Sequence, residues 1–276
     1  MAKIDAHQHF WIYNPKDYKW IDTKMNVLQR DFLPEHLWKE QKKTGFDGSV
    51  AVQARQSLRE TEWLLELASE NNRIKGVVGW IDLCSASIEE QIVKFTSNTR
   101  LVGVRHVLQD EPDDNFMLQN NFRRGIGYLN KYKLAYDILI FPRHINTAVK
   151  LVSEFPDQRF VIDHIAKPLI KDNIFSPWEK DIKALAQFPN VYCKVSGMVT
   201  EADWKKWKPE DIHPYLDIIY GAFGNDRLMI GSDWPVCTLA GSYETVMNVS
   251  LNYFKDFSEN IKSKIFGDNC ANFYNI

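Results

Sequence analysis

Cysteine is sparse in this chain. Cys84, Cys193, Cys237 and Cys270 stand far apart and no Cys-x-x-Cys pair occurs, which argues against a zinc ribbon or a dithiol redox motif and suits reduced thiols in the cytoplasm. No apolar run is long enough to cross a bilayer. The first strand is expected to begin at Lys3, which leaves no room for a cleavable leader. Basic residues never gather into a sustained patch, and 34 Lys and Arg against 36 Asp and Glu leave a formal charge of −2. Nucleic acid and membrane surfaces are therefore not expected partners. A glycine-rich phosphate turn after the first strand is also missing, which argues against a doubly wound nucleotide-binding sheet. No low-complexity linker divides the chain, so residues 1–276 are expected to form one domain.

What is present is a rhythm. Apolar segments of strand length recur eight times, at Lys3 to His9, Gly48 to Ala54, Lys75 to Ile81, Leu101 to Leu108, Leu134 to Ile140, Arg159 to His164, Val191 to Val195 and Leu228 to Ser232. Helical periodicity separates them, with helix starts marked by the capping boxes Ser57-Leu58-Arg59-Glu60 and Ser87-Ile88-Glu89-Glu90 and by Pro177 in the first turn of another helix. Strands alternating with helices require parallel pairing through crossovers. Eight such units, at about 34 residues each, predict an α/β fold of the (β/α)8 TIM-barrel type.

A barrel of this kind carries its chemistry at the C-terminal ends of the strands. His7 and His9 lie two apart on the first strand, so their side chains share a face. His164 closes the sixth strand and Asp233 the eighth. Three imidazoles and a carboxylate converging on the mouth can bind one divalent metal, or can hold and activate water directly. Any one of them alone reads more readily as a hydrogen-bonded structural residue, and it is their joint occurrence that points to a catalytic site. Around them, Arg105 and Lys194 are candidate cations for substrate, while Arg105 and His106 face opposite ways on one strand, so only one should line the mouth. Gln53 and Trp234 are further substrate-binding candidates. Trp11 reads rather as packing, and the acidic loop Gln109 to Asp114 as a solvated turn.

The segments Ile4-Asp5-Ala6-His7-Gln8-His9-Phe10-Trp11, Asp163-His164-Ile165-Ala166-Lys167-Pro168 and Gly231-Ser232-Asp233-Trp234-Pro235 resemble the amidohydrolase superfamily. Asp-His-x-x-Lys-Pro together with Lys194-Val195-Ser196-Gly197 is similar to its sugar-lactonase branch, and Gly103-Val104-Arg105-His106 and Ile265 to Ala271 extend the likeness over nearly the whole chain. Metal-rich members supply a lysine or glutamate after strand four and a histidine after strand five. Here those strands offer Arg105 with His106 and Tyr136 with Asp137, so a bridged two-metal centre is not expected.

The resemblance implies hydrolysis of a sugar lactone to the aldonic acid, with Asp233 as general base and then acid. It implies either no strictly required cofactor or a single divalent metal, such as Zn, on His7, His9, His164 and Asp233. The substrate class it implies is an aldonolactone, such as L-fucono- or L-rhamnonolactone. The alternatives are a metal-dependent nonoxidative decarboxylase, which wants an additional strand histidine, and a barrel that binds sugar without turnover. Oligomeric state leaves no mark in the sequence.

Overall fold

A computed structural model describes residues 2–276. All eight expected strands form: β1 (Ile4–Gln8), β2 (Gly48–Val52), β3 (Ile74–Gly79), β4 (Leu101–Val107), β5 (Ala135–Leu139), β6 (Phe160–Ile162), β7 (Val191–Val195) and β8 (Leu228–Ile230). They pair in parallel and in sequence order. Closure between β8 and β1 runs through a bridge of Gln8 with Trp234, and through Asp5, whose carboxylate accepts from the Ser232 amide at 2.8 Å and its hydroxyl at 2.6 Å.

The outer layer is made by α1 (Pro34–Thr44), α2 (Leu58–Glu70), α3 (Ile88–Thr96), α4 (Asn120–Lys131), α5 (Ile145–Glu154), α6 (Trp178–Leu185), α7 (Pro209–Phe223) and α8 (Tyr243–Tyr253), followed by α9 (Glu259–Ser263) and α10 (Asn269–Tyr274). The main apolar cluster fills the space between helices and strands. A second cluster is drawn from alternate strand residues, Ile4, Ala6, Val50, Val52, Val78, Val102, Ala135, Val161 and Met229, together with Cys270, Phe273 and Tyr274 of α10. Alternation turns one face of each strand inward, so this second cluster is the barrel's interior and α10 stops one end of it. None of the four cysteines is bonded to another, and among the described residues no helix is long and apolar enough to cross a membrane.

Three local expectations of helix starts are not met. Ser57 and Ser87 precede α2 and α3, but neither side chain caps its helix. Glu60 turns away from the helix start, accepting from the amides of Arg55 at 2.8 Å and Ala54 at 3.4 Å, where it fastens the loop after β2. Pro177 stands just before α6 instead of inside it.

Candidate active site

Register places the site. Pairing of β1 with β2 slips by one residue between Asp5 and Gln8, a bulge that lets His7 follow Ala6 to the interior. His7 and His9 then face one another, Nε2 to Nε2, at 3.2 Å. Nε2 of His9 stands 3.2 Å from Asp233 Oδ1, with Nε2 of His164 at 3.8 Å and that of His7 at 3.9 Å from the same oxygen. The four expected residues thus meet around one carboxylate oxygen. His7, His164 and Asp233 bring ligand-type atoms within 4.8 Å of one another.

The backbone carries strain here. His164, Ile165, Ala166 and Lys167 run through the left-handed region with φ of 54°, 49°, 59° and 50°, and Asp233 has φ of 56°. Non-glycine residues so placed cost about 1–3 kcal/mol each, and neighbours hold them there. Trp178 Nε1 donates to the Ile165 carbonyl at 2.8 Å, and Ser196 Oγ lies 2.9 Å from His164 Nδ1. Gly197 leaves room for the imidazole, since a Cβ there would stand 2.5 Å from His164 Nδ1. Gly231 does the same for His7, whose Cβ would be 2.6 Å from an added methyl. The glycines of the Lys-x-Ser-Gly and Gly-Ser-Asp motifs therefore make room for the histidines.

Outer partners orient each ring. Nδ1 of His9 lies 2.8 Å from the Val52 carbonyl, which can only accept, so Nδ1 donates there and Nε2 is turned toward Asp233. His7 Nδ1 faces Asp163 Oδ1 at 3.2 Å. Burial holds His7 well below its usual pKa and lowers His164 to about 4, so both are neutral near pH 7. Burial alone would raise Asp233, but His164, His9 and His7 outweigh it and keep the carboxyl well below its usual range.

Arg105 enters the site. Its Nη1 lies 3.0 Å from Asp163 Oδ2 and 3.3 Å from His7 Nε2, and Nη2 donates to the Gln53 carbonyl. His106 turns the other way, stacking on Phe116 and reaching Glu111 Oε1 at 2.6 Å. Lys194 is wholly buried and has no route to substrate: its Nζ stands 2.5 Å from Asp137 Oδ2 and 3.2 Å from Asp163 Oδ1. Burial would strip its proton, yet Asp137 and Asp163 prevail and push its pKa up. The Gln53 side chain is buried beneath the rim, its Nε2 donating to the Arg105 carbonyl at 3.4 Å. Trp234 and Trp11 pack with Phe32 in a buried aromatic cluster, so neither ring is presented to a ligand.

Above the histidines opens a cleft of about 680 Å³. His9, Arg105, His164 and Asp233 form its floor, and Trp20, Arg55, Gln109, Asp110, Glu111 and Lys167 are among its walls. The acidic loop thus contributes to the cleft. Trp20, 37 % exposed, donates from Nε1 to the Ala54 carbonyl at 3.1 Å and is the aromatic ring that faces the mouth. It carried no motif in the sequence. Asp163 and Asp137 were equally unmarked as functional, though each holds a cation beneath the floor.

A parallel eight-stranded barrel with a first-strand His-x-His, a strand-six histidine and a strand-eight aspartate gathered at one mouth defines a (β/α)8 enzyme-type site. The chain belongs to the amidohydrolase family, whose model matches residues 4–276. It is 39% identical to an L-fucono-1,5-lactonase of Burkholderia multivorans, over 99% of this chain and 95% of that one. With an L-fucono-1,5-lactonase of Burkholderia ambifaria it shares 33% identity over 99% and 96%. A crystal structure of an amidohydrolase from Burkholderia multivorans with bound Zn superposes with a TM-score of 0.97 at 38% identity, covering 100% of both chains.

Proposed function

We propose that this protein hydrolyses a sugar lactone to the corresponding aldonic acid, with a neutral six-carbon aldonolactone such as L-fucono-1,5-lactone as substrate. The observation that carries the reading is the convergence of three imidazoles on Asp233 at the floor of an open polar cleft. The two full-length relatives named for this reaction support it.

The donor set fits one divalent cation. His7 Nε2, His9 Nε2 and Asp233 Oδ1, all of metal-ligand type, lie 3.2 to 3.9 Å from one another, and His7, His164 and Asp233 bring ligand-type atoms within 4.8 Å. His7, His9, His164 and Asp233 would hold the ion, and Arg105 Nη1 competes for the His7 lone pair. When bound, the ion supplies Lewis acidity to the ester carbonyl and acidifies water.

Asp233 accepts a proton from the water that attacks the lactone carbonyl. The acyl–oxygen bond to the ring oxygen then breaks, and Asp233 returns the proton to that oxygen, releasing the open hydroxy acid. Arg105, pinned by Asp163 and the Gln53 carbonyl, presents a preorganised charge to the developing oxyanion. Lys167 and the polar wall bind hydroxyls, and Trp20 offers a flat face to the sugar's C–H bonds. Four free thiols support a cytoplasmic setting.

The reading is tested by following acid release from a panel of aldono-1,4- and 1,5-lactones, before and after exhaustive chelation. Turnover of a six-carbon lactone, lost on chelation and restored by Zn²⁺, is expected. Absence of turnover on every lactone with metal supplied would contradict the activity, and turnover that survives chelation would contradict the metal.

A further inference from the structure

Beneath the floor of the site runs a continuous buried polar chain that reaches the opposite end of the barrel. The hydroxyl of Tyr274 donates to the Asp137 carboxylate, lying 2.8 Å from Oδ1 and 2.9 Å from Oδ2. Asp137 Oδ2 is 2.5 Å from Lys194 Nζ, and Nζ is 3.2 Å from Asp163 Oδ1. That same oxygen is 3.2 Å from His7 Nδ1, which Nζ also approaches to 3.4 Å. Asp163 Oδ1 makes these contacts as a charge, with no aligned hydrogen bond to either neighbour. Its place is therefore governed by the balance of cations around it.

From this geometry we infer that Tyr274, in the C-terminal helix, is a positioning residue for His7, acting through Asp137, Lys194 and Asp163. The proposal rests on the lactonase reading for its kinetic consequences.

Three features argue that the hydroxyl does more than fill space. Phe273, the neighbouring residue in the same apolar cluster, already supplies an apolar ring to that end of the barrel. The Tyr274 hydroxyl has Asp137 as its partner, whose carboxyl burial pushes up to about 6. The helix itself is held firmly. Asn269 Nδ2 donates to the carbonyls of Leu228 at 2.7 Å and Asn225 at 2.9 Å, and Arg159 donates to the Phe273 carbonyl.

All members of the chain are buried, so water cannot replace a lost partner. Without the Tyr274 hydroxyl, Asp137 draws Lys194 more strongly. The ammonium then neutralises Asp163 less, and Asp163 is left to His7 and Arg105. The imidazole and the guanidinium would both change place relative to Asp233.

The test compares the full chain with Tyr274→Phe, Asp137→Asn, the double variant and Phe273→Leu. Tyr274→Phe is expected to lower kcat by about tenfold, the lower end for an outer partner of a site histidine, and to leave KM within about twofold. The double variant is expected to lose no more than Asp137→Asn alone, because both changes cut the same chain. Phe273→Leu disturbs the same helix and should lower the melting temperature without selective loss of kcat.

Nitrogen-15 shifts of the His7 ring, measured without substrate, should move in Tyr274→Phe and not in Phe273→Leu. Wild-type kcat and unchanged His7 shifts in Tyr274→Phe would overturn the proposal, as would losses that multiply in the double variant. If the wild type turns over no lactone, the activity falls and the His7 shifts decide positioning alone. Moved shifts then sustain the proposal, and unmoved shifts overturn it.

Discussion

Ser196 Oγ stands 2.9 Å from Nδ1 of His164, a residue whose own backbone sits in the left-handed region. The hydroxyl selects the ring orientation that turns Nε2 toward Asp233, 3.8 Å away. Ser196→Ala should therefore leave the fold intact and lower kcat/KM by roughly 10- to 100-fold, the usual effect of removing an outer partner of a site histidine. Steady-state kinetics beside a thermal melt checks this. Unaltered turnover would mean that the strained turn alone sets the ring.

Trp20 reaches the cleft from the irregular segment between β1 and α1. If its face receives the sugar ring, Trp20→Ala should raise KM by about tenfold or less, in line with roughly 0.5–1.5 kcal/mol for a ring contact, and spare kcat. A fall in kcat at constant KM would assign the ring to the chemistry instead.

Glu60 is buried, and burial pushes its carboxyl up to about 7 from an ordinary value near 4.5. Between those values the folded state keeps a proton that the unfolded chain has released. Its contribution to stability is thus fully present below about pH 4.5 and is lost as pH rises through 7, by about 3 kcal/mol over the whole span. Glu60→Gln removes that slope, so urea unfolding at pH 5 and pH 8 should show the variant gaining on wild type at the higher pH. Parallel pH dependence in the two proteins would refute the assignment.

The strands were legible because a sheet covered on both faces writes itself as apolar runs, and every one of the eight formed where those runs lie. Alternation required that only one of Arg105 and His106 line the mouth but left open which, and the pairing of β4 with β5 without a slip settles it for Arg105. It could not find Asp163. β6 ends at Ile162, and the left-handed turn that follows lets consecutive residues, Asp163 and His164, both serve the site. Lys194 looked like a cation for substrate because only the fold reveals the two carboxylates that enclose it. Trp234 follows Asp233 directly, but the chain leaves the strand there and the ring turns into the cluster with Phe10 and Phe32. Trp20 lies where no periodicity exists to read, and Tyr274 is joined to the site through Asp137, 137 residues distant in sequence.

The most direct test of the account is acid release from the best lactone by wild type and by Asp233→Asn, with ligand affinity measured for both. The substitution keeps the shape of the floor and removes the proton acceptor. A loss of turnover of about 10²- to 10⁴-fold, with the ligand still bound, is the expected result. Turnover preserved in Asp233→Asn would contradict the assignment of Asp233 as the base.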